Sequence, residues 1–82
     1  MATPRLHVTV TDADRVLFRG EATSLTFPGE QGTFEVLPLH RPLISRLVRG
    51  VVTIDERPLP IDRGVVRVAD DVITAVVETP TR

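Results

Sequence analysis

Cysteine is missing from this 82-residue chain, so it offers no disulfide framework, no thiolate metal site and no cysteine nucleophile. Lysine is missing as well: all ten basic side chains are Arg, which excludes a Schiff base, a phosphate-loop lysine and a biotinyl or lipoyl attachment point. With no Trp or Tyr, the aromatics reduce to Phe18, Phe27 and Phe34, and a base-stacking or sugar-binding shelf would have to be built from rings needed in the core. Charge of one sign is scarce too. Eleven acidic residues against ten basic give a formal net charge of −1, which argues against a partner held through nucleic-acid phosphates. Met1 to Arg5 lead into alternating residues without an apolar signal region, and no run reaches the roughly 18 apolar residues of a membrane helix. The chain reads as soluble and unexported, without membrane insertion.

What is abundant is Val, Ile and Thr, together 27 of the 82 residues, in short runs punctuated by Gly, Pro and Asp. That rhythm predicts an all-β fold: a small two-sheet β-sandwich, or flattened barrel, occupying 1–82 as a single domain with its core at about 5–78. Leu6, Val8 and Val10 alternate with His7, Thr9 and Thr11, and the strand ends at Asp12 to Arg15. Another run begins at Val16, and Glu21 to Phe27 is read as one alternating strand with Thr23, Leu25 and Phe27 on one face, closed by Pro28-Gly29. Gly32 opens a strand that turns Phe34 and Val36 inward, with the Phe34 ring expected in the core. The segment Pro38 to Pro42 is a stiff connector, and Leu43 to Arg49 is assigned to strand because Pro42 precedes it and Gly50 ends it. A hairpin is expected around Glu56-Arg57, with Pro58 and Pro60 confining its second arm to a sheet edge, and a last hairpin turns at Asp70-Asp71. The doublets Val51-Val52, Val65-Val66 and Val76-Val77 place an apolar side chain on each face of their strands, which means either that one of each pair sits at a strand end or under an edge loop, or that an outer face docks on a partner.

Catalytic and metal chemistry find little to work with. His7 and His40 lie 33 positions apart with no ligand-spacing motif. Ser24 and Ser45 sit in no nucleophile elbow, and the pairs Asp12/Asp14 and Asp70/Asp71 fall in turns, where Asp serves the backbone. Pro28-Gly29-Glu30-Gln31-Gly32 precedes a strand, so it lacks the helix dipole of a phosphate cradle and is better suited, as an exposed mobile loop, to touching protein. No catalytic residue, cofactor or metal is expected, and the residues by themselves lead as far as a compact β-module that binds another protein.

Leu17-Phe18-x-Gly20-Glu21-Ala22, Pro28-Gly29-Glu30, the block Gly32-x-Phe34-Glu35-Val36-Leu37-Pro38-x-His40-x-Pro42-Leu43-Ile44, Gly50, and Gly64-Val65-Val66-x-Val68 resemble the N-terminal β-sandwich of the F-type ATP synthase epsilon subunit. The resemblance runs from about Leu6 to Glu78, and the Gly32 to Ile44 block is its most specific part. It implies a non-catalytic rotor subunit of the central stalk, at the cytoplasmic face of the bacterial inner membrane, linking the gamma subunit to the ring of c subunits. By position, Gly29, Glu30, Gln31, Gly32, Thr33 and Phe34 correspond to the surface facing the c-ring, and Leu39, His40, Arg41 and Pro42 to part of the surface facing gamma. Family members usually continue into two C-terminal helices that carry inhibition and, in some bacteria, a nucleotide site. With four residues after Glu78, the expectation is coupling and assembly without an inhibitory arm and without bound nucleotide. A β-barrel of the oligonucleotide- or oligosaccharide-binding type is the alternative, supported by size and strand content and opposed by the acidic balance and few aromatics.

Overall fold

The computed structural model describes residues 4–80; expectations resting on Met1 to Thr3, Thr81 and Arg82 lie outside that range. Within it the chain forms nine strands: β1 (Leu6–Asp12), β2 (Arg15–Ala22), β3 (Leu25–Gly29), β4 (Gly32–Val36), β5 (Leu43–Leu47), β6 (Gly50–Ile54), β7 (Arg57–Ile61), β8 (Arg63–Ala69) and β9 (Val72–Glu78). They hydrogen-bond in the order β2-β1-β9-β8-β5-β3-β6-β7, with β4 on the other flank of β3. The link between β5 and β3 is the single pair Leu47 with Gly29, and there the sheet folds over into two layers. The first layer is β2-β1-β9-β8-β5 and the second is β4-β3-β6-β7, the flattened sandwich expected from strand rhythm.

Alternation decides which side chains the layers enclose. Leu6, Val8 and Val10 of β1, Val66 and Val68 of β8, and Ile73, Ala75 and Val77 of β9 are buried against Leu25, Phe27, Val52 and Ile54 of the second layer. All neighbouring strands run antiparallel except β1 and β9, the first and last, which pair in parallel from His7 with Val72 to Thr11 with Val76. In β2 the register slips, Val10 facing Phe18 while Thr11 faces Val16. Leu17 is the extra residue of this bulge, which turns both Leu17 and Phe18 partly toward the core despite their adjacency.

Four details depart from the expectations raised by the sequence. The run from Glu21 to Phe27 is not one strand: it breaks at Thr23-Ser24, so Ala22 and Leu25 are both buried and Thr23 is exposed. The break is held by Asp55, whose Oδ1 accepts hydrogen bonds from Thr23 N (2.9 Å), Thr23 Oγ1 (2.8 Å) and Ser24 N (3.0 Å). The hairpin placed around Glu56-Arg57 turns one residue earlier, at Asp55-Glu56, and β5 ends at Leu47 instead of Arg49. Phe34 is half-buried, its ring 5.6 Å from that of the fully buried Phe27, because it sits on the edge strand β4. The edge role of Pro58 and Pro60 does hold, since β7 ends the strand order and a central position would require the N–H that proline lacks.

Candidate docking surfaces

The residues singled out in the sequence fall at opposite ends of the sandwich. β4 runs from one set to the other, so about 13 Å of extended chain separates the β3–β4 turn from the loop between β4 and β5.

At the turn end, the stretch 29–33 is less of a loop than the sequence suggests. Gly29 closes β3 and pairs with Gly32, which leaves only Glu30 and Gln31 in the turn. Gly32 carries the reversal at φ 119, a value that an L side chain rarely adopts. Gly29 is buried, and what it contributes is thinness instead of a positive φ: a Cβ there would lie 2.9 Å from the Phe34 ring and 3.0 Å from the Gly32 carbonyl. Glu30, Gln31, Gly32 and Thr33 are exposed. Three solvent-exposed arginines surround an open hollow beside this turn, each with a carboxylate: Arg46 with Glu30 (3.8 Å), Arg49 with Asp62 (3.2 Å) and Arg63 with Glu78 (3.2 Å). The charge of Glu30 is thus shared with Arg46, and this end presents alternating signs. Asp12 accepts hydrogen bonds from Thr79 Oγ1 and Thr79 N (3.1 Å), and these, aided by the charge of Arg15, hold its carboxyl below the ordinary aspartate range.

At the loop end, His40 N donates to the Leu37 carbonyl (3.2 Å) across Pro38 and Leu39. Leu39 sits at φ 70, and its own N–H is held by Asp71 Oδ1 at 2.7 Å. The Asp71 carbonyl also accepts from His7 N (2.8 Å), so this one residue ties the β8–β9 turn to the start of β1 and to the loop. His40 is half-buried, and its Nδ1 meets the Arg41 carbonyl at 2.7 Å; a carbonyl can only accept, so Nδ1 donates and Nε2 is left as the other ring nitrogen. Leu39, Arg41 and Pro42 are exposed. In the sequence Asp71 has only the signature of a turn residue, and its hold on Leu39 is invisible there because acceptor and donor are 32 positions apart.

The outward side of the first layer supplies a third feature. In each valine doublet the first member points out and the second in: Val65 and Val76 are 47% and 53% exposed while Val66 and Val77 are buried. Val65 and Val76 are direct cross-strand partners on β8 and β9, and Thr11 of β1 followed by the exposed Val16 of β2 continues the same row. In the next row Ile44, 73% exposed, stands opposite Arg67, which makes no ion pair among the described residues. Val51 faces out from the other layer. No group of three or more His, Asp or Glu side chains suited to a metal ion occurs among the described residues.

The surfaces so described sit on a known type of domain. Residues 5–82 match the family described as the beta-sandwich domain of the ATP synthase Delta/Epsilon chain. An ATP synthase epsilon chain of Bordetella parapertussis is 38% identical over 82 residues, covering 94% of this chain and 59% of that relative. One from Nitratiruptor is 37% identical over 78 residues, covering 89% of this chain and 60% of the relative. The chain therefore spans three-fifths of the length of these relatives. Among solved structures, a chain of the Euglena gracilis mitochondrial ATP synthase superposes with a TM-score of 0.83 at 18% identity, covering 94% of this chain and 52% of that one. A chain of the central stalk and c-ring of the Tetrahymena thermophila mitochondrial ATP synthase gives 0.76 at 11%, covering 95% and 66%. At those identities the likeness is one of fold.

Proposed function

The chain belongs to the ATP synthase Delta/Epsilon chain beta-sandwich family, and from that premise we propose that it acts as a non-catalytic rotor subunit linking gamma to the c-ring. The observation that carries this reading is the separation of two candidate surfaces to opposite ends of one sandwich, joined directly by β4. In this reading Gly29, Glu30, Gln31, Gly32, Thr33 and Phe34 form the end that meets the polar loops of the c-ring. Leu39, His40, Arg41 and Pro42 meet gamma. The subunit sits peripherally on the cytoplasmic face of the bacterial inner membrane and holds its partners under torque, without covalent chemistry. Backbone stiffness suits a part that must stay docked under load, and Pro38 and Pro42 reduce the freedom their loop would lose on docking. Alternating signs around Glu30, Arg46, Arg49 and Arg63 suit polar loops better than a lipid surface.

The experiment pairs titration with crosslinking. The chain is titrated calorimetrically against purified gamma, with one-to-one binding expected. Cysteines at Gln31 and in the c-ring loop are expected to crosslink in the assembled complex. Absence of binding removes the rotor assignment, and binding without a crosslink at Gln31 removes the assignment of the β3–β4 turn to the ring.

A further inference from the structure

Six non-glycine residues adopt positive φ among the described residues: Ala13, Leu39, Asp55, Glu56, Asp70 and Asp71. Five of them occupy two-residue hairpin turns, between β1 and β2, β6 and β7, and β8 and β9, where the strand twist itself asks for a left-handed backbone. Leu39 is the exception. The strands on either side of its loop, β4 and β5, do not pair with each other, so no hairpin imposes the conformation. Its surroundings are those of a type II turn: the Leu37 carbonyl accepts from His40 N, Pro38 holds the first central position, and Leu39 at φ 70 holds the second. That second position ordinarily belongs to glycine or asparagine, because a Cβ is crowded there.

Leucine gains nothing inside the chain in return. At 81% it is the most exposed of the large apolar side chains among the described residues, and it lies outside the core cluster. Its backbone is nonetheless fastened, since the Asp71 carboxylate grips its N–H at 2.7 Å. A residue that fits its backbone poorly, reaches no core and still has that backbone pinned is arranged for a surface outside the chain. We propose that Leu39 is a preset apolar anchor that enters a socket on gamma, with Asp71 as its positioning residue. This rests on the reading that the loop end meets gamma, and it adds which residue carries the affinity and why the loop is rigid. Pinning the backbone of the anchor beforehand lowers the ordering cost of association, and side chains that carry binding energy are those seated in well-packed, fully desolvated pockets.

The test has two readouts of different sign. Leu39→Gly and Leu39→Asn suit a positive φ and delete the anchor. They are expected to melt no lower than the wild-type chain and to bind purified gamma at least about tenfold more weakly in calorimetric titration. Leu39→Met, which keeps an apolar side chain of similar volume, is expected to bind within about threefold of wild type. Wild-type affinity in the Gly and Asn variants would overturn the anchor while leaving gamma docking intact. Weakened binding accompanied by a lower Tm would assign Leu39 a structural role and overturn it also. If the wild-type chain fails to bind gamma, both readings fall. If the wild-type chain sediments as a dimer that Leu39→Asn dissolves, the socket lies on a second copy and the proposal is wrong about its partner.

Discussion

Asp12, Asp55 and Asp71 lie at or beside hairpin turns, where aspartate ordinarily satisfies its own backbone, yet each reaches across to a segment distant in sequence. Asp55 bonds most densely. The Thr23 N–H, the Thr23 hydroxyl and the Ser24 N–H converge on its Oδ1 and hold the carboxyl below the ordinary aspartate value. A carboxyl depressed on folding stabilises the native state fully above its unfolded pKa of about 3.9, and that contribution disappears as pH falls through the lower folded value. The wild-type chain is therefore expected to be more stable than Asp55→Asn at pH 7, with the difference in Tm shrinking below about pH 4 as the carboxyl protonates. Thermal melts of the two chains between pH 7 and pH 2 provide the check, and a constant gap would mean the carboxylate charge is irrelevant to the contact. Asp12 should follow the same sign through its grip on Thr79, since its carboxyl is also depressed.

The strand pair β3–β4 depends on what Gly29 lacks. The methyl group introduced by Gly29→Ala would press on the Phe34 ring from 2.9 Å, so the substitution should cost about 1–3 kcal/mol through overpacking, read by urea denaturation. The two rings beside it should separate clearly in the same assay. Phe27 is wholly buried at the middle of β3, and Phe27→Ala is expected to cost about 3–5 kcal/mol, a large fraction of the roughly 4–12 kcal/mol available to a domain of this size. Phe34 keeps part of its ring in water, so Phe34→Ala should cost distinctly less. Equal losses for the two would mean that the edge strand packs more deeply than its exposure indicates. The same element shows how a glycine-rich segment can be read two ways: Pro28-Gly29-Glu30-Gln31-Gly32 has the composition of a mobile loop but forms a tight hairpin end, because its glycines permit close packing and one left-handed residue.

Across the whole molecule, the doublets divide labour between a sealed interior and an apolar exterior. Val65→Asp adds a carboxylate to a half-exposed position and should cost about 1 kcal/mol through poorer strand propensity and a lost contact with Val76, leaving the chain folded, whereas Val66→Asp buries an unpaired charge and should leave the chain largely unfolded. Circular dichroism separates those outcomes. Titration of folded Val65→Asp against gamma then tests whether the proposed gamma docking extends onto the outward face of the first layer, in which case binding weakens because the new carboxylate would be desolvated without a partner. Undiminished affinity would place the contact elsewhere on the sandwich. At the largest scale one sheet runs through both layers and folds over at Gly29 and Leu47.

Alternation by itself located most of the strands, since a period of two with β-branched residues favours a half-buried strand, and Pro58 and Pro60 located an edge because proline cannot donate in a ladder. The Gly32 to Ile44 block likewise pointed to the family through its residue order and spacing alone. Only the tertiary structure decided that β1 and β9 pair in parallel, that β2 carries a bulge at Leu17, and that Asp55 interrupts the run at Thr23-Ser24. It also decided which valine of each doublet faces water, and that Asp71 holds Leu39 in the place of a glycine. The division has one cause. Strand periodicity and turn chemistry are local and can be read within a few residues, while register, layer and clamp join positions tens of residues apart and exist only once the sheet has closed.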